Sequence, residues 1–566
     1  MRTLHSQKIM ALLLLTAGAT VLFAAPRKVA DELKRLDADT VVDVIVQFKN
    51  KPSQANHDKV KALGGVFNRG LDIVKGAHYT VSARIIEKLA DEPDVEFIQL
   101  DHEVGATDFS GKMDYAWMTV TGLTSKDSKL SYDGAGVGVA VVDSGVTSFA
   151  DLENLFSSRV VYSQDFVTDY GPGYGHGTHV AGIIAGNGTD SSGFGARYKV
   201  RGIAPGANII ALRALQSDGK GTDSSVIAAI QRAVDLKSKY NIRVLNLSLG
   251  RPVTASYTQD ALCQAVEQAW KAGIVVVVAA GNQGRNNSAG TQGYGTITAP
   301  GNDPYVITVG AINTMGTASR ADDKLTSYSS KGPTLFDHFA KPDLVAPGNQ
   351  IVSIRFPGGT LDTKYPGNRV PASAYCSYGC DSGDYFQLSG TSMAAPMVSG
   401  AAALLIQKNR SLTPDQVKAI LLKTASKSLP TMSTVADAVT GATYTVFADM
   451  LTIGAGSLDV AAALANTTIP STGLALSPVV NYDPKNNLVT VVTSPNSIWS
   501  NSIVWGTSIV WGTNVVSSNS IVWGTTIVWG TGVSDHIKDL FANTIVWGTN
   551  GDGCTDSANA LSDGEN

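Results

Sequence analysis

Three side chains in this sequence are of the types that attack a carbonyl carbon, and each sits among small residues. Asp143 closes the apolar run Val139-Ala140-Val141-Val142 and precedes Ser144-Gly145. His176 lies in Gly175-His176-Gly177-Thr178-His179-Val180-Ala181-Gly182, and Ser392 in Leu388-Ser389-Gly390-Thr391-Ser392-Met393-Ala394-Ala395-Pro396. A serine hydroxyl is a poor nucleophile without a base, and a histidine base needs an acid to orient it. A carboxylate at the end of a buried strand is costly unless something pairs with it. Each residue alone has an ordinary reading: Asp143 as a turn or cap, Ser392 as the first residue of a helix. Two histidines three apart share a helical face and raise a metal reading. The zinc-peptidase motif, however, needs a spacing of four and an intervening Glu. Together the three residues supply an acid, a base and a nucleophile.

Long apolar runs at 137–142, 208–212, 244–247, 274–280 and 306–309 alternate with helical patterns at 179–185, 225–239, 258–272, 396–408 and 414–424. Continuously apolar strands alternating with helices predict an α/β domain, its mostly parallel sheet covered by helices on both faces. Such sheets place their sites at strand ends and helix starts, where these three residues fall. A helix N-terminus at Ser392 presents free N–H groups to a developing oxyanion. Upstream, 40–50 alternates as a strand, and 79–81, 83–90 and 95–100 read as strand, helix, strand. That predicts a small α+β unit before a polar junction at 104–113.

The DSG, HGTHVAG and SGTSMAAP blocks, in the order Asp…His…Ser, resemble the subtilisin-like serine peptidases from Gly134 to near Gly456. The resemblance implies a subtilisin-like fold and a serine endopeptidase acting on polypeptide substrates. It implies that Asp143 orients His176, that His176 takes the proton of Ser392 and passes it to the leaving amine, and that Ser392 forms an acyl-enzyme. It gives His179 a packing or hydrogen-bonding role. In Val278-Ala279-Ala280-Gly281-Asn282 it makes Asn282 the oxyanion-hole amide. It also implies that Ser248, Leu249 and Gly250 pair with the substrate backbone and form one wall of the specificity pocket, with Ala279, Ala280 and Gly281 forming the other. The expected preference is broad, mainly for apolar or aromatic side chains. Arg251 departs from the family's usual Gly and is expected to narrow or charge the cleft rim. The segment 356–385, with Cys376 and Cys380 placed to staple it, is longer than a minimal member needs and is expected to shape the leaving-group side. Catalysis needs no cofactor on this reading. Structural Ca2+ is common in the family, and the polar loop 187–193 offers oxygen ligands, but no ligand set is assigned.

Asp43-Val-Ile-Val-Gln-Phe48 and Val95-Glu-Phe-Ile-Gln-Leu-Asp101 resemble an inhibitor-type propeptide of the same family. The resemblance implies that this unit is an intramolecular inhibitor, cut near 102–113; the bland alternative is an N-terminal domain retained in the mature protein. Arg2 and Lys8, an apolar run at 9–23 and Ala24-Ala25-Pro26 read as a secretory signal peptide, short for a membrane span. The expected organisation is a signal at 1–25, a propeptide at 26–112 with its core at about 40–105, a catalytic domain at 113–465, a linker at 466–494, repeats at 495–549 and an acidic tail at 550–566. The protein is expected to be extracellular, with cell-surface association open.

The repeats explain a lopsided count: six of eight tryptophans (Trp499, Trp505, Trp511, Trp523, Trp529, Trp547) fall in the last seventy of 566 residues. Five copies read Ile-Val-Trp-Gly-Thr in a hexad frame. A β-rich, three-sided coil and a loosely ordered, β-prone tail both fit, and either offers contact with a cell surface or a polymer. Net charge is −4, which excludes a strongly basic nucleic-acid binder. Cys263 sits in an amphipathic pattern as a small buried hydrophobe, and Cys554 falls in the tail. The competing function is a catalytically idle, peptide-binding relative that adheres through the hexads; four motif blocks with every catalytic residue type present weigh against it.

Overall fold

The computed structural model describes residues 28–29, 33–71, 75–100, 120–121, 130–155, 157–169, 171–379, 384–437, 441–470, 473–483 and 488–492. The signal sequence, the 104–113 junction, Cys380, the hexads and the acidic tail lie outside the described residues. The chain divides into two compact units at Ala106/Thr107.

The first unit runs β1 (Val41–Phe48), α1 (Gln54–Ala62), β2 (Val66–Leu71), β3 (Gly76–Ser82), α2 (Ile86–Ala90) and β4 (Val95–Leu100). Its antiparallel sheet has the order β2-β3-β1-β4. Val44, Val46 and Phe48 alternate inward along β1 and pack with Tyr79, Val81, Leu89 and Ile98. The sequence reading lacked α1 and β2. Only Val60 of α1 is buried, so the helix carries almost no apolar stripe to read.

The second unit contains β5 (Gly138–Asp143), β6 (Val160–Asp165), α3 (His176–Ala185), β7 (Asn208–Arg213), α4 (Asp223–Asp235), β8 (Ile242–Leu247), α5 (Ala261–Lys271), β9 (Val275–Ala279) and β10 (Ile307–Asn313). It continues with β11 (Leu344–Pro347), β12 (Ile351–Ile354), β13 (Tyr385–Leu388), α6 (Thr391–Lys408) and α7 (Pro414–Thr424). The sheet order is β10-β9-β8-β5-β7-β6, all parallel, with β11 parallel to β10 and a short antiparallel strand, Lys324–Leu325, at that edge. The central strands β5 and β9 are buried along their whole length, and β8 at every residue but Arg243, as a sheet covered on both faces requires. From β5 the chain crosses to β6 at the sheet edge, steps back one place to β7 through α3, and moves two places further the same way to β8 through α4. α6 packs on α3, and α5 on α4.

The expected helix at 225–239 breaks at Leu236, and the segment Lys237–Tyr240 follows as a separate turn ended by left-handed Asn241. The expected linker is partly docked. Ser477 N–H donates to the Pro304 carbonyl (3.0 Å), Ala340 N–H to the Pro478 carbonyl (2.8 Å), and Val480 N–H to the His338 carbonyl (2.8 Å). Ala475 and Val480 are fully buried, so the second unit extends past 465. A hairpin, Val479–Asp483 with Leu488–Val492, follows. No helix among the described residues is long and apolar enough to cross a membrane.

Candidate active site

Asp143 is the last residue of β5 and is fully buried. Its Oδ1 accepts Ser144 N–H at 2.7 Å. His176 is the first residue of α3, and the left-handed Gly175 (φ 94°) turns the chain into that helix. A Cβ on Gly177 would strike the Gly145 carbonyl and lie 3.0 Å from Asp143 Cβ. Only glycine lets the helix start press on the carboxylate. The result is a forked contact, with His176 Nδ1 at 2.9 Å from both Asp143 oxygens. A carboxylate can only accept, so Nδ1 carries the proton and Nε2 keeps the lone pair, which is the tautomer a general base needs.

Ser392 is the second residue of α6, after Gly390 (φ 147°) and Thr391. Its Oγ donates to the Ser248 carbonyl at 3.2 Å, and Ser248 Oγ donates back to the Ser392 carbonyl at 2.8 Å.

Asn282 Oδ1 accepts both Thr391 N–H (2.9 Å) and Thr391 Oγ1–H (3.0 Å). That fixes the amide with Nδ2 beside Gly390, 3.0 Å from where a Cβ on that glycine would stand. An amide held this way is a preorganised donor, as an oxyanion hole requires. Thr391, absent from the sequence-predicted set, anchors the donor; its place directly before Ser392 was the available signal.

Leu249 and Gly250 continue from β8 beyond its last pairing, and their backbone groups have no partner among the described residues. Such an edge accepts an extended peptide as an added strand. Opposite, Ala280 is held by Val309 and Thr298, its N–H donating to the Val309 carbonyl (2.9 Å) and its carbonyl accepting Thr298 N–H (3.0 Å). Gly281 (φ 104°) lies against Thr298 and Ser330, where a Cβ would clash, and Ala279 ends β9.

Arg251 does not charge the cleft rim. Its guanidinium bonds Asp223 (2.8 Å from Nε and 2.8 Å from Nη2) and Asp260 (2.9 Å from Nη2), the latter the N-cap of α5. These two carboxylates hold its pKa above the ordinary arginine value. The pair of acids clamps the starts of α4 and α5 together. Arg251→Gly is expected to lower the stability of this unit by about 1–2 kcal/mol, because Asp260 is left buried without its cation. Urea unfolding checks this, and an unchanged midpoint would refute it.

The long segment before β13 buttresses α3. Phe356 Cβ lies 3.2 Å from a Cβ position on Gly175, and Thr360 N–H donates to the Gly173 carbonyl at 2.9 Å. Cys376 is disulfide-bonded.

His179 takes the expected hydrogen-bonding role. Its Nε2–H donates to the Phe386 carbonyl at 2.9 Å, and the ring is buried. Burial, and then the neighbouring His176, push its pKa down to about 3. The folded chain refuses a proton there that the unfolded chain accepts below about 6.5. Stability is therefore expected to fall as pH drops through that window, by at most about 1.4 kcal/mol per pH unit from this group. Urea midpoints against pH should show a shallower slope in His179→Gln; identical slopes would refute the assignment.

In and beside the loop at 187–193, side-chain oxygens accept hydrogen bonds from the chain itself. Asn187 Oδ1 accepts Thr189 N–H (2.9 Å) and Oγ1–H (2.6 Å). The neighbouring Asp151 accepts Asp190 N–H (2.9 Å) at one oxygen and Tyr385 O–H (2.7 Å) at the other. Among the described residues no three His, Cys, Asp or Glu side chains are grouped to hold a metal.

Residues 134–445 match the family described as Peptidase S8, the subtilase family. The chain is 40% identical over 300 residues to serine protease AprX of Bacillus subtilis, covering 51% of this chain and 61% of that protein. It is 33% identical over 387 residues to subtilisin E of the same organism, covering 68% of this chain and 84% of that protein. Among solved structures, fervidolysin from Fervidobacterium pennivorans, described as a keratinolytic enzyme related to subtilisin, superposes with a TM-score of 0.47 at 24% identity, over 80% of this chain and 65% of that one.

Proposed function

This chain belongs to the subtilase family, and from that membership we propose that it is a secreted endopeptidase made as a precursor held inactive by its own first unit. It is a subtilisin-like serine peptidase. The observation that carries the mechanistic reading is the forked Nδ1–H contact of His176 on Asp143, which leaves Nε2 as the base.

In the proposed cycle an extended polypeptide adds to the Leu249–Gly250 edge. His176 Nε2 takes the Ser392 proton as Oγ attacks the scissile carbonyl. Asn282 Nδ2 and the Ser392 N–H meet the developing oxyanion, while Asp143 stabilises the imidazolium. The imidazolium then protonates the leaving amine, and water releases the acyl group by the reverse sequence. The antiparallel α+β architecture of residues 41–100 and the apolar run at 9–23 support the precursor and export parts of the reading. The hexads are proposed to hold the enzyme at a cell surface or polymer.

Purified secreted protein should hydrolyse casein and lose that activity to a serine-directed phosphonate. Intact mass of the secreted form should show a first residue within 103–114. Casein hydrolysis that survives the phosphonate would refute the chemistry, and retention of the first unit in active protein would refute the precursor.

A further inference from the structure

Pro396 stands inside α6, four residues after Ser392. A helical carbonyl is served by the N–H four residues on. Proline has none, and its ring also crowds the carbonyl it fails to serve. The carbonyl of Ser392 itself is therefore orphaned by the helix it opens. Its donor is Ser248 Oγ, at 2.8 Å.

The direction of the next bonds follows from chemistry alone. A carbonyl only accepts, so the Ser248 hydroxyl must donate to it, and the Ser248 oxygen is free to accept from Asn246 Nδ2 at 2.9 Å. With Nδ2 turned to Ser248, Asn246 Oδ1 faces the other way, where it accepts Ser399 Oγ–H at 2.8 Å. Asn246 and Ser399 are fully buried, and Ser248 is 4% exposed. The chain of bonds thus runs one way, from the third turn of α6 through the end of β8 and back to the first turn of α6. Asn246 and Ser399 sit behind the cleft.

We propose that Asn246 and Ser399 are positioning residues for the nucleophile. The relay Ser399→Asn246→Ser248 replaces the donor that Pro396 cannot give. It sets the tilt of the first turn of α6, and with it the place of Ser392 Oγ against its base and of Ser392 N–H in the oxyanion hole. The inference rests on Ser392 being the nucleophile. It takes serine 399 from an apparent packing residue to a part of the catalytic geometry.

The test is steady-state kinetics on the secreted enzyme with a peptide amide substrate, with the rate of inactivation by a serine-directed phosphonate measured in parallel. Ser399→Ala should lower kcat and the inactivation rate about tenfold, the scale of a sub-ångström displacement of a reacting group, with KM within about twofold. Ser399→Cys keeps the size and a weak donor, so an intermediate loss is expected; it carries the same comparison if the alanine variant is not recovered folded. In a Ser248→Ala background, Ser399→Ala (or Ser399→Cys) should cost less than about twofold more, because the relay has no other route to Ser392. Unchanged kcat in a folded Ser399→Ala or Ser399→Cys protein, or a loss that persists in full in the Ser248→Ala background, would overturn the proposal. Failure of the underlying reading is separately visible, since Ser392→Ala would then stay active.

Discussion

Ser392→Ala is expected to cut casein hydrolysis by about 10⁶-fold, a magnitude known from subtilisin itself, while leaving the protein folded. The argument is local. Among the described residues Ser392 Oγ makes one hydrogen bond, to the Ser248 carbonyl at 3.2 Å, so its loss removes no structural knot there. The reciprocal bond from Ser248 Oγ to the Ser392 carbonyl uses backbone and survives the substitution. The proposed oxyanion donors and the proposed peptide-binding edge also survive. The residual rate should therefore stay above that of uncatalysed hydrolysis, and KM should stay close to the parent value. A variant that keeps more than about 1% of the parent rate would remove Ser392 from the mechanism.

Asn282→Ala is expected to lower kcat by about 10²–10³-fold with KM nearly constant, the range known for the corresponding donor in subtilisin. The donor acts on charge that exists only in the transition state, so ground-state binding should not register its loss. The structure adds a consequence. Asn282 Oδ1 is the acceptor for both Thr391 N–H and Thr391 Oγ1–H, so alanine also releases the residue next to the nucleophile. Asn282→Asp keeps that acceptor and lacks the donor. A kcat as low in Asp as in Ala would assign the effect to the donor; a near-parent kcat in Asp would assign it to the anchoring of Thr391.

The proposed acid, base and nucleophile stand out in the sequence because each lies in a short segment whose small residues have a steric reason. Gly177 is required by the approach to Asp143, and Gly390 by the approach to Asn282 Nδ2. The parallel sheet was legible because strands buried on both faces read as unbroken apolar runs. Other features could not be read along the chain. Arg251 looked like a charge at the cleft, yet its two carboxylates come from the starts of separate helices, one 28 residues before it. Asn246 and Ser399, 153 positions apart, show no pattern in sequence and meet only across the β8–α6 contact. Helix α1 was missed because one buried valine makes no stripe, and the docking of 473–483 because its partners Pro304, His338, Asp343 and Asp415 lie far from it along the chain.

The central claim is that Ser392 is the nucleophile and that His176 activates it. It is tested most directly by treating the purified secreted protein with a fluorophosphonate and locating the adduct by peptide mass spectrometry. The account predicts one adduct per molecule, on Ser392, formed far more slowly in His176→Ala. An adduct on a different residue, or labelling of Ser392 at an undiminished rate without His176, would contradict it.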